Sequence, residues 1–390
     1  MKSVLIIGHK SPFPILDGGC FAMSRLLNDV VSIPDCQVHY FVLSTQKHPF
    51  HLDSVPQIYR GVNWCFGTIN TTLNPFSALS HVIRGKSYNL SRFYYKEIES
   101  ELIEIISSNN IPTVIFDSVF SAVYAKAISK LTRAKLILRS HNVEFEIWKN
   151  LRDTAKNPWK RWYLNQLYLQ LKNEEPILWK KMDAILSLSE EDSLEMEKYL
   201  GKKPMFFPVS LPVANQKLDF ESNDLCFLGA FNWEPNLEAI HWFLNSVWPN
   251  LKKRQPGIKL NIAGLETNKI QLSESSEGIN IHGFVKDVGD FLRSNGIFIA
   301  PLQSGSGVKI KVLEAMNVGL PVVLTVKGAD GIPWKNELTL CDSPQDFEDE
   351  IIRLVESASE RSKLAKLNSE KVRQFFIADV NSQLLSKLIQ

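Results

Sequence analysis

Cysteine is scarce in this 390-residue chain, and neither sign of charge dominates it. Its five cysteines, Cys20, Cys36, Cys65, Cys226 and Cys341, lie far apart and form no CxxC pair. That spacing argues against a secreted disulfide framework and for a reducing compartment. It also offers no closely spaced Cys/His quartet for structural zinc, and scattered cysteines of this kind ordinarily lie buried among apolar groups. With 44 basic and 42 acidic side chains the formal net charge is +2, without the concentrated positive charge of a dedicated nucleic-acid binder. No apolar run reaches the roughly 18 residues that would suggest a spanning helix. The run at 4–8 is too short for a signal-peptide core and has no small-residue cleavage site after it. The expected location is therefore cytoplasmic, with the inner face of a membrane as the nearest bilayer contact. A Walker loop, a DxD metal motif, a fixed-period repeat and a low-complexity linker are all absent.

What the chain does contain is 44% apolar and 22% charged residues, over a length sufficient for two cores. Short apolar runs at 4–8, 38–43, 114–116, 136–138 and 183–189 read as buried parallel strands. Helical stretches at 21–30, 122–130 and from Glu190 toward Gly201 read as their crossovers. Ser189 is placed to cap the last of these, with Asp192 three positions on as in a capping box. Residues 208–223 read as a loop and hinge. A second series follows: strands at 225–228, 259–263, 297–300 and 322–325, and helices at 235–247, 308–318, 347–367 and 369–388. Two doubly wound α/β domains fit this order better than one large sheet.

The most informative segment is 301–316, Pro-Leu-Gln-Ser-Gly-Ser-Gly-Val-Lys-Ile-Lys-Val-Leu-Glu-Ala-Met. Gly305 and Gly307 permit tight turns and close approach of a ligand. The helix that follows exposes amides at its start, where a phosphate can be held, and Lys309 adds a charge near the same end. Glu314 lies one and a half turns on and can accept hydrogen bonds from sugar hydroxyls. On spacing alone, a solvent loop before an ordinary amphipathic helix explains the segment equally well. Gly18 and Gly19 carry a weaker signal of the same kind.

The larger set of motifs resembles the retaining family-4 (group 1) glycosyltransferases of GT-B fold. The matching segments are Phe227-Leu228-Gly229-Ala230-Phe231-Asn232-Trp233-Glu234-Pro235-Asn236, Ile262-Ala263-Gly264, His282-Gly283-Phe284 and residues 304–321, with Ser140-His141-Asn142-Val143-Glu144 in the first half. The resemblance implies two Rossmann-like domains facing a cleft. Residues 1–210 form the acceptor side, 222–368 bind the nucleotide sugar, and a C-terminal helix at 369–390 returns to brace the first domain. It implies that Glu314 holds the nucleotide ribose and that Gly305, Ser306, Gly307, Val308 and Lys309 handle diphosphate and donor sugar. Gly18 and Gly19 become donor-facing glycines, and His141 contacts the transferring sugar. Two departures stand out. The family's pair of glutamates with seven residues between them is here Ser306 and Glu314, and a serine supplies no carboxylate charge. The basic pair common after the first strand of the second domain is replaced by Asn232-Trp233-Glu234.

The implied activity is transfer of a hexose-type sugar, with retention, from a nucleotide-diphosphate donor to a glycan or lipid-linked glycan of bacterial-type surface polysaccharide. A nucleotide-sugar epimerase and an inactive nucleotide-sugar-binding module are the alternatives. No cofactor or metal is required, because helix amides and Lys309 suffice to stabilise the departing phosphate, and His141 and Lys309 are the catalytic candidates. Basic and aromatic residues at 148–163 suggest contact with an anionic membrane surface, and Arg84, Lys86 and residues 92–96 would extend that patch.

Overall fold

Strand β1 (Lys2–Gly8) buries each residue from Val4 to Ile7, because helices cover both faces of the sheet it belongs to. That sheet also contains β2 (Cys36–Thr45), β3 (Asn63–Ile69), β4 (Thr113–Asp117), β5 (Lys135–Ser140), β6 (Ala184–Ser187) and β7 (Met205–Phe206), in the order β3-β2-β1-β4-β5-β6-β7. A second sheet contains β8 (Leu225–Leu228), β9 (Leu260–Ala263), β10 (Ile279–Gly283), β11 (Ile297–Ala300) and β12 (Val322–Leu324), in the order β10-β9-β8-β11-β12. Every strand pairing in both sheets is parallel. The computed structural model describes residues 2–72, 74, 80–81, 84–214, 221–272, 276–305, 307–376 and 378–389.

The chain divides into two compact units, Met1–Ser210 with Ala378–Gln390, and Leu211–Ile377. In the first, Ile7, Phe41, Phe116, Leu138 and Trp179 belong to one apolar cluster, and Val4, Ile6, Tyr40, Ile115 and Phe207 to another. The core of the second gathers Phe227, Ile262 and Ile299 from the strands with Phe243, Trp248 and Phe347 from the helices.

Three strands gave no sequence signal. β3 and β10 lie at sheet edges, and β10 buries no residue fully, so neither shows a continuous apolar run. β7 is two residues long. The helix Pro158–Trp179 was also unread, because its buried and exposed faces both carry aromatic residues. Its start is well specified: Asn157 Oδ1 accepts from the amides of Trp159 (2.9 Å) and Lys160 (3.1 Å), with proline at the first helical position. Ser189 caps Glu190–Leu200 as expected, accepting from the Asp192 amide at 3.0 Å. The Asp192 carboxylate, however, takes the Ser189 hydroxyl at 2.8 Å.

The C-terminal helices break at different points from those the sequence suggested. They run Pro344–Glu356, Ala358–Phe376 and Ala378–Leu388, so residues 369–376 continue the preceding helix. The last helix belongs to the first unit. Leu385 and Ile389 enter its core, each burial contributing about 1.5–3 kcal/mol, and Lys2 Nζ donates to Ser386 Oγ at 3.0 Å.

The polar centre of this packing is Asp29, which is 1% exposed. It accepts from the Ser210 hydroxyl (2.8 Å) and the Asn381 amide (3.2 Å), while Asn381 also donates to the Pro208 carbonyl at 2.7 Å. Burial pushes the Asp29 carboxyl above its usual range despite these donors. Asn381→Ala removes two hydrogen bonds and leaves a buried carbonyl unpaired. It should lower the unfolding free energy by about 1–3 kcal/mol, read by urea denaturation.

Candidate active site

In an open parallel sheet the ligand crevice lies at the carboxyl ends of the strands, where the strand order reverses. The reversal falls between β1 and β4 in the first unit and between β8 and β11 in the second.

In the first unit, the carboxyl edge at that point holds four polar side chains. Asp117 ends β4, in register with Gly8 of β1 and Arg139 of β5. His9 and His141 directly follow β1 and β5. Asp117 is fully buried, with Oδ1 2.9 Å from Arg139 Nη1 and 2.7 Å from His141 Nε2. Burial alone would raise its pKa, but Arg139 and His141 outweigh burial and hold the carboxyl below its ordinary range. An ionised carboxylate only accepts, so His141 carries its proton on Nε2 and leaves Nδ1 open as an acceptor. His9 Nδ1 lies 3.1 Å from the Asp117 carbonyl, which fixes the opposite tautomer and leaves Nε2 open. Burial and Lys10 lower His9 to about 3, and burial also lowers His141, so both rings are neutral near pH 7. They meet edge to face at 5.8 Å between centroids. The arrangement presents two neutral ring nitrogens suited to accept from sugar hydroxyls.

The expected first-domain glycines lie nearby in the fold but in a different setting. Gly18 and Gly19 open the helix Gly18–Val31, which Asp17 caps through a 2.8 Å bond from the Cys20 amide. Lys10 Nζ holds both Asp17 oxygens at 2.8 Å, and a Cβ on Gly19 would come 2.9 Å from that ammonium. Asp17, Cys20 and His48 bring ligand atoms within 4.8 Å of one another. With Lys10 on the carboxylate and the Cys20 thiol pushed up by burial, that trio fits a divalent cation poorly. Glu144 proves to be part of a helix start. Glu175 accepts from the Glu144 and Phe145 amides at 3.0 and 3.1 Å, because Val143 has no capping side chain. Burial moves Glu144 up to about 7 and Glu175 well above its usual value.

In the second unit, the loop after β11 carries the segment that stood out in the sequence. Gly305 and Gly307 have φ of 101° and 74°, conformations that a side chain would strain. Val308 lies against Gly331, where a Cβ would come 2.6 Å from the Val308 Cα. Lys309 is buried and donates to the Gly307 carbonyl at 2.9 Å. The helix expected from 308 runs Ile310–Asn317, with Lys309 at its cap position and no side-chain cap bond there. Ser306 lies outside the described residues. Glu314 lines a cavity of about 330 Å³ with Pro212, Val213, Leu292, Arg293 and Asn317, and burial raises its pKa to about 7.

One cation was missed in the sequence. Lys311 Nζ donates to Asn236 Oδ1 at 2.7 Å and sits 4.3 Å from the centroid of the Phe227 ring. Burial and Lys309 bring its pKa down to about 7. Asp117 and Arg139 were missed as well, although a polar residue closing an apolar strand of a parallel sheet is a readable signal. Nothing in the sequence distinguished Lys311 from a solvent-facing helix lysine.

Residues 222–357 match the family model described as Glycosyl transferases group 1. An "Uncharacterized 44.6 kDa protein in cps region" of Klebsiella pneumoniae is 30% identical over 213 residues, 52% of this chain and 54% of the relative. The match thus spans about half the length of that curated relative. Among solved structures, sucrose-phosphate synthase from Thermosynechococcus elongatus aligns with a TM-score of 0.70 at 13% identity, over 100% of this chain and 98% of that one. Anabaena Alr3699/HepE, solved with UDP and glucose, aligns with a TM-score of 0.67 at 10% identity, over 100% and 99%. These likenesses establish the fold: the chain is an α/β protein of the GT-B type.

The Asp117 arrangement makes a stability prediction. Asp117→Ala leaves Arg139 buried without its counter-charge and should cost about 3–5 kcal/mol in denaturant unfolding. Replacing Arg139 by Met in the same protein should restore much of that loss. Because the folded pKa of Asp117 is depressed, its contribution is present above the unfolded value of about 4 and is lost as pH falls through the folded one.

Proposed function

We propose that the chain is a glycosyltransferase that moves a hexose-type sugar, with retention, from a nucleotide-diphosphate donor to a glycan or lipid-linked glycan. The observation that carries this reading is the coincidence of the group 1 glycosyltransferase match with a phosphate-compatible loop and a cavity-lining glutamate in the same unit. Similarity to a protein of a cps region supports surface polysaccharide assembly as the setting.

The difficult event in such a transfer is charge separation between the sugar and the departing diphosphate. Amides at the start of Ile310–Asn317 and the Lys309 ammonium are assigned to the diphosphate charge. Gly305, Gly307 and Val308, and Ser306 by resemblance alone, are assigned to the diphosphate and donor sugar, and Glu314 to the ribose hydroxyls. His141 is assigned to a hydroxyl of the transferring sugar through its open Nδ1, and Gly18 and Gly19 to the donor-facing edge of the first unit. Glu314 is not assigned as a nucleophile: burial raises its pKa to about 7, so a large share of it is protonated at neutral pH and suited to hydrogen bonding, and no second carboxyl among the described residues acts on it. The reading requires no metal.

Calorimetry against UDP- and GDP-linked hexoses beside the free sugars tests the donor assignment. A folded protein should bind at least one nucleotide sugar and none of the free sugars at the same concentration. Glu314→Ala should weaken that binding by about tenfold or more, the worth of hydrogen bonds to a positioned carboxyl. Failure to bind any nucleotide sugar, or unchanged affinity in the variant, contradicts the assignment.

We also propose that the first unit meets anionic membrane, through a smaller patch than the sequence suggested. No helix among the described residues is long and apolar enough to cross a bilayer. Trp159 and Trp162 are 81% and 52% exposed beside exposed Lys160 and Arg161. Other residues of the expected patch are already engaged. Lys149 pairs with Glu146, Arg152 lies over Tyr168, Arg92 lies over Tyr88, and Phe93 and Tyr95 pack on the core. Liposome flotation should show stronger binding to acidic than to neutral vesicles. Replacing Lys160 and Arg161 with Gln should reduce it, since each basic residue at the surface is worth about 1 kcal/mol. Absence of flotation on acidic vesicles at low salt contradicts the interfacial role.

A further inference from the structure

Two ammonium groups occupy one corner of the second unit. Lys311 reaches from the first turn of Ile310–Asn317 toward the carboxyl end of β8, where it rests over Phe227 and bonds Asn236 Oδ1. Asn236 is itself oriented by a 2.9 Å bond from its Nδ2 to the Ala230 carbonyl, so its oxygen is committed to the lysine. Lys309 lies beside the same corner. A Cβ on Gly305 would come 3.9 Å from the Lys309 ammonium and 3.4 Å from the Cβ of Pro235, the neighbour of Asn236. No carboxylate among the described residues offsets the Lys311 charge, which feels burial and Lys309. Acids close in sequence are directed elsewhere: Glu234 and Glu238 are exposed, Glu238 is bonded by the Ser304 hydroxyl, and Glu314 lines the cavity described above.

An ammonium has three donors, and here a neutral amide takes one while an aromatic face covers part of the rest. Burying the Lys311 ammonium beside a second ammonium, with no carboxylate among the described residues acting on it, is unfavourable, and an anion with more than one charge would reverse that. The corner stands where the order of strands reverses between β8 and β11. The geometry points to Lys311 as a second diphosphate-binding cation, acting with Lys309 and held in place by Asn236 and Phe227. The inference rests on the nucleotide-diphosphate reading and adds a residue to it, from a different element than the missing basic pair after β8 would have used.

The charge balance gives this assignment a signature of its own. Without an anion, burial and Lys309 bring Lys311 down to about 7, so at about pH 8 most of it is neutral. Diphosphate restores the favoured charge, and binding then takes up a proton. At about pH 6 the lysine is already protonated and adds no uptake. Glu314 contributes equally to wild type and to a Lys311 variant, so the difference between them isolates the lysine.

The test is calorimetry with UDP, GDP, UMP and GMP at both pH values, in phosphate-free buffers of high and low ionisation enthalpy, on wild type and Lys311→Gln. The expected result is a loss of about tenfold or more in nucleoside diphosphate affinity and a smaller loss for the monophosphate, the difference a charge-assisted contact makes. Proton uptake at the higher pH should be reduced in the variant. Unchanged diphosphate affinity and uptake in a variant that still binds would overturn the role of Lys311 and leave the nucleotide reading standing. Failure of wild type to bind either diphosphate would overturn both. Should the variant not fold, wild-type protein settles the matter: no proton uptake at the higher pH excludes a lysine that gains its charge on binding.

Discussion

All strands in both sheets are parallel, and that constraint places the polar chemistry. Parallel strands must return through crossovers on the sheet faces, so the faces are consumed by packing and only the ends remain for ligands. At the carboxyl ends the backbone turns into helices, and helix starts bring unpaired amides. His9, Asp117, Arg139 and His141 stand at this edge of the first unit, and the Gly305–Lys309 loop, Lys311 and Asn236 at the same edge of the second.

The two edges differ electrically. In the first unit the buried charges close on themselves: Arg139 balances Asp117, and the two imidazoles stay neutral. What remains open is hydrogen-bonding capacity without net charge, appropriate to hydroxyls. In the second unit no carboxylate among the described residues acts on Lys311, which is displaced toward neutrality, while Glu314 is displaced toward its protonated form. Such an edge is favourable to a bound anion. The proposed division of labour between sugar and diphosphate rests on this contrast in charge.

Much of this order was legible in the sequence because buried parallel strands are unbroken apolar runs. β1, β8 and β11 therefore read clearly, as did Gly201, which closes its helix at φ 68°. Edge strands β3 and β10 did not, since one side of an edge strand stays in solvent and the run is interrupted. Residues 148–163 misled in part: basic and aromatic residues in one stretch look like a membrane face, yet Trp148 packs on the core and Arg152 stacks on Tyr168. Candidate residues such as His141 and Glu314 could be named from motifs because they follow a strand end or a fixed spacing. The pairings themselves were not legible, because Asp117 meets His141 across 24 residues of chain and Asn236 meets Lys311 across 75.

The central claim is transfer of a sugar out of a nucleotide diphosphate, and the most direct measurement follows donor, product and anomeric configuration together by proton NMR. Wild-type protein, a bound nucleotide hexose and a panel of glycan and lipid-linked glycan acceptors would be combined and observed over time. The expected result is release of nucleoside diphosphate that depends on acceptor, with a new glycosidic linkage of the same anomeric configuration as the donor. Epimerised donor in the absence of acceptor, or a bound donor that remains unchanged with every acceptor, would contradict it.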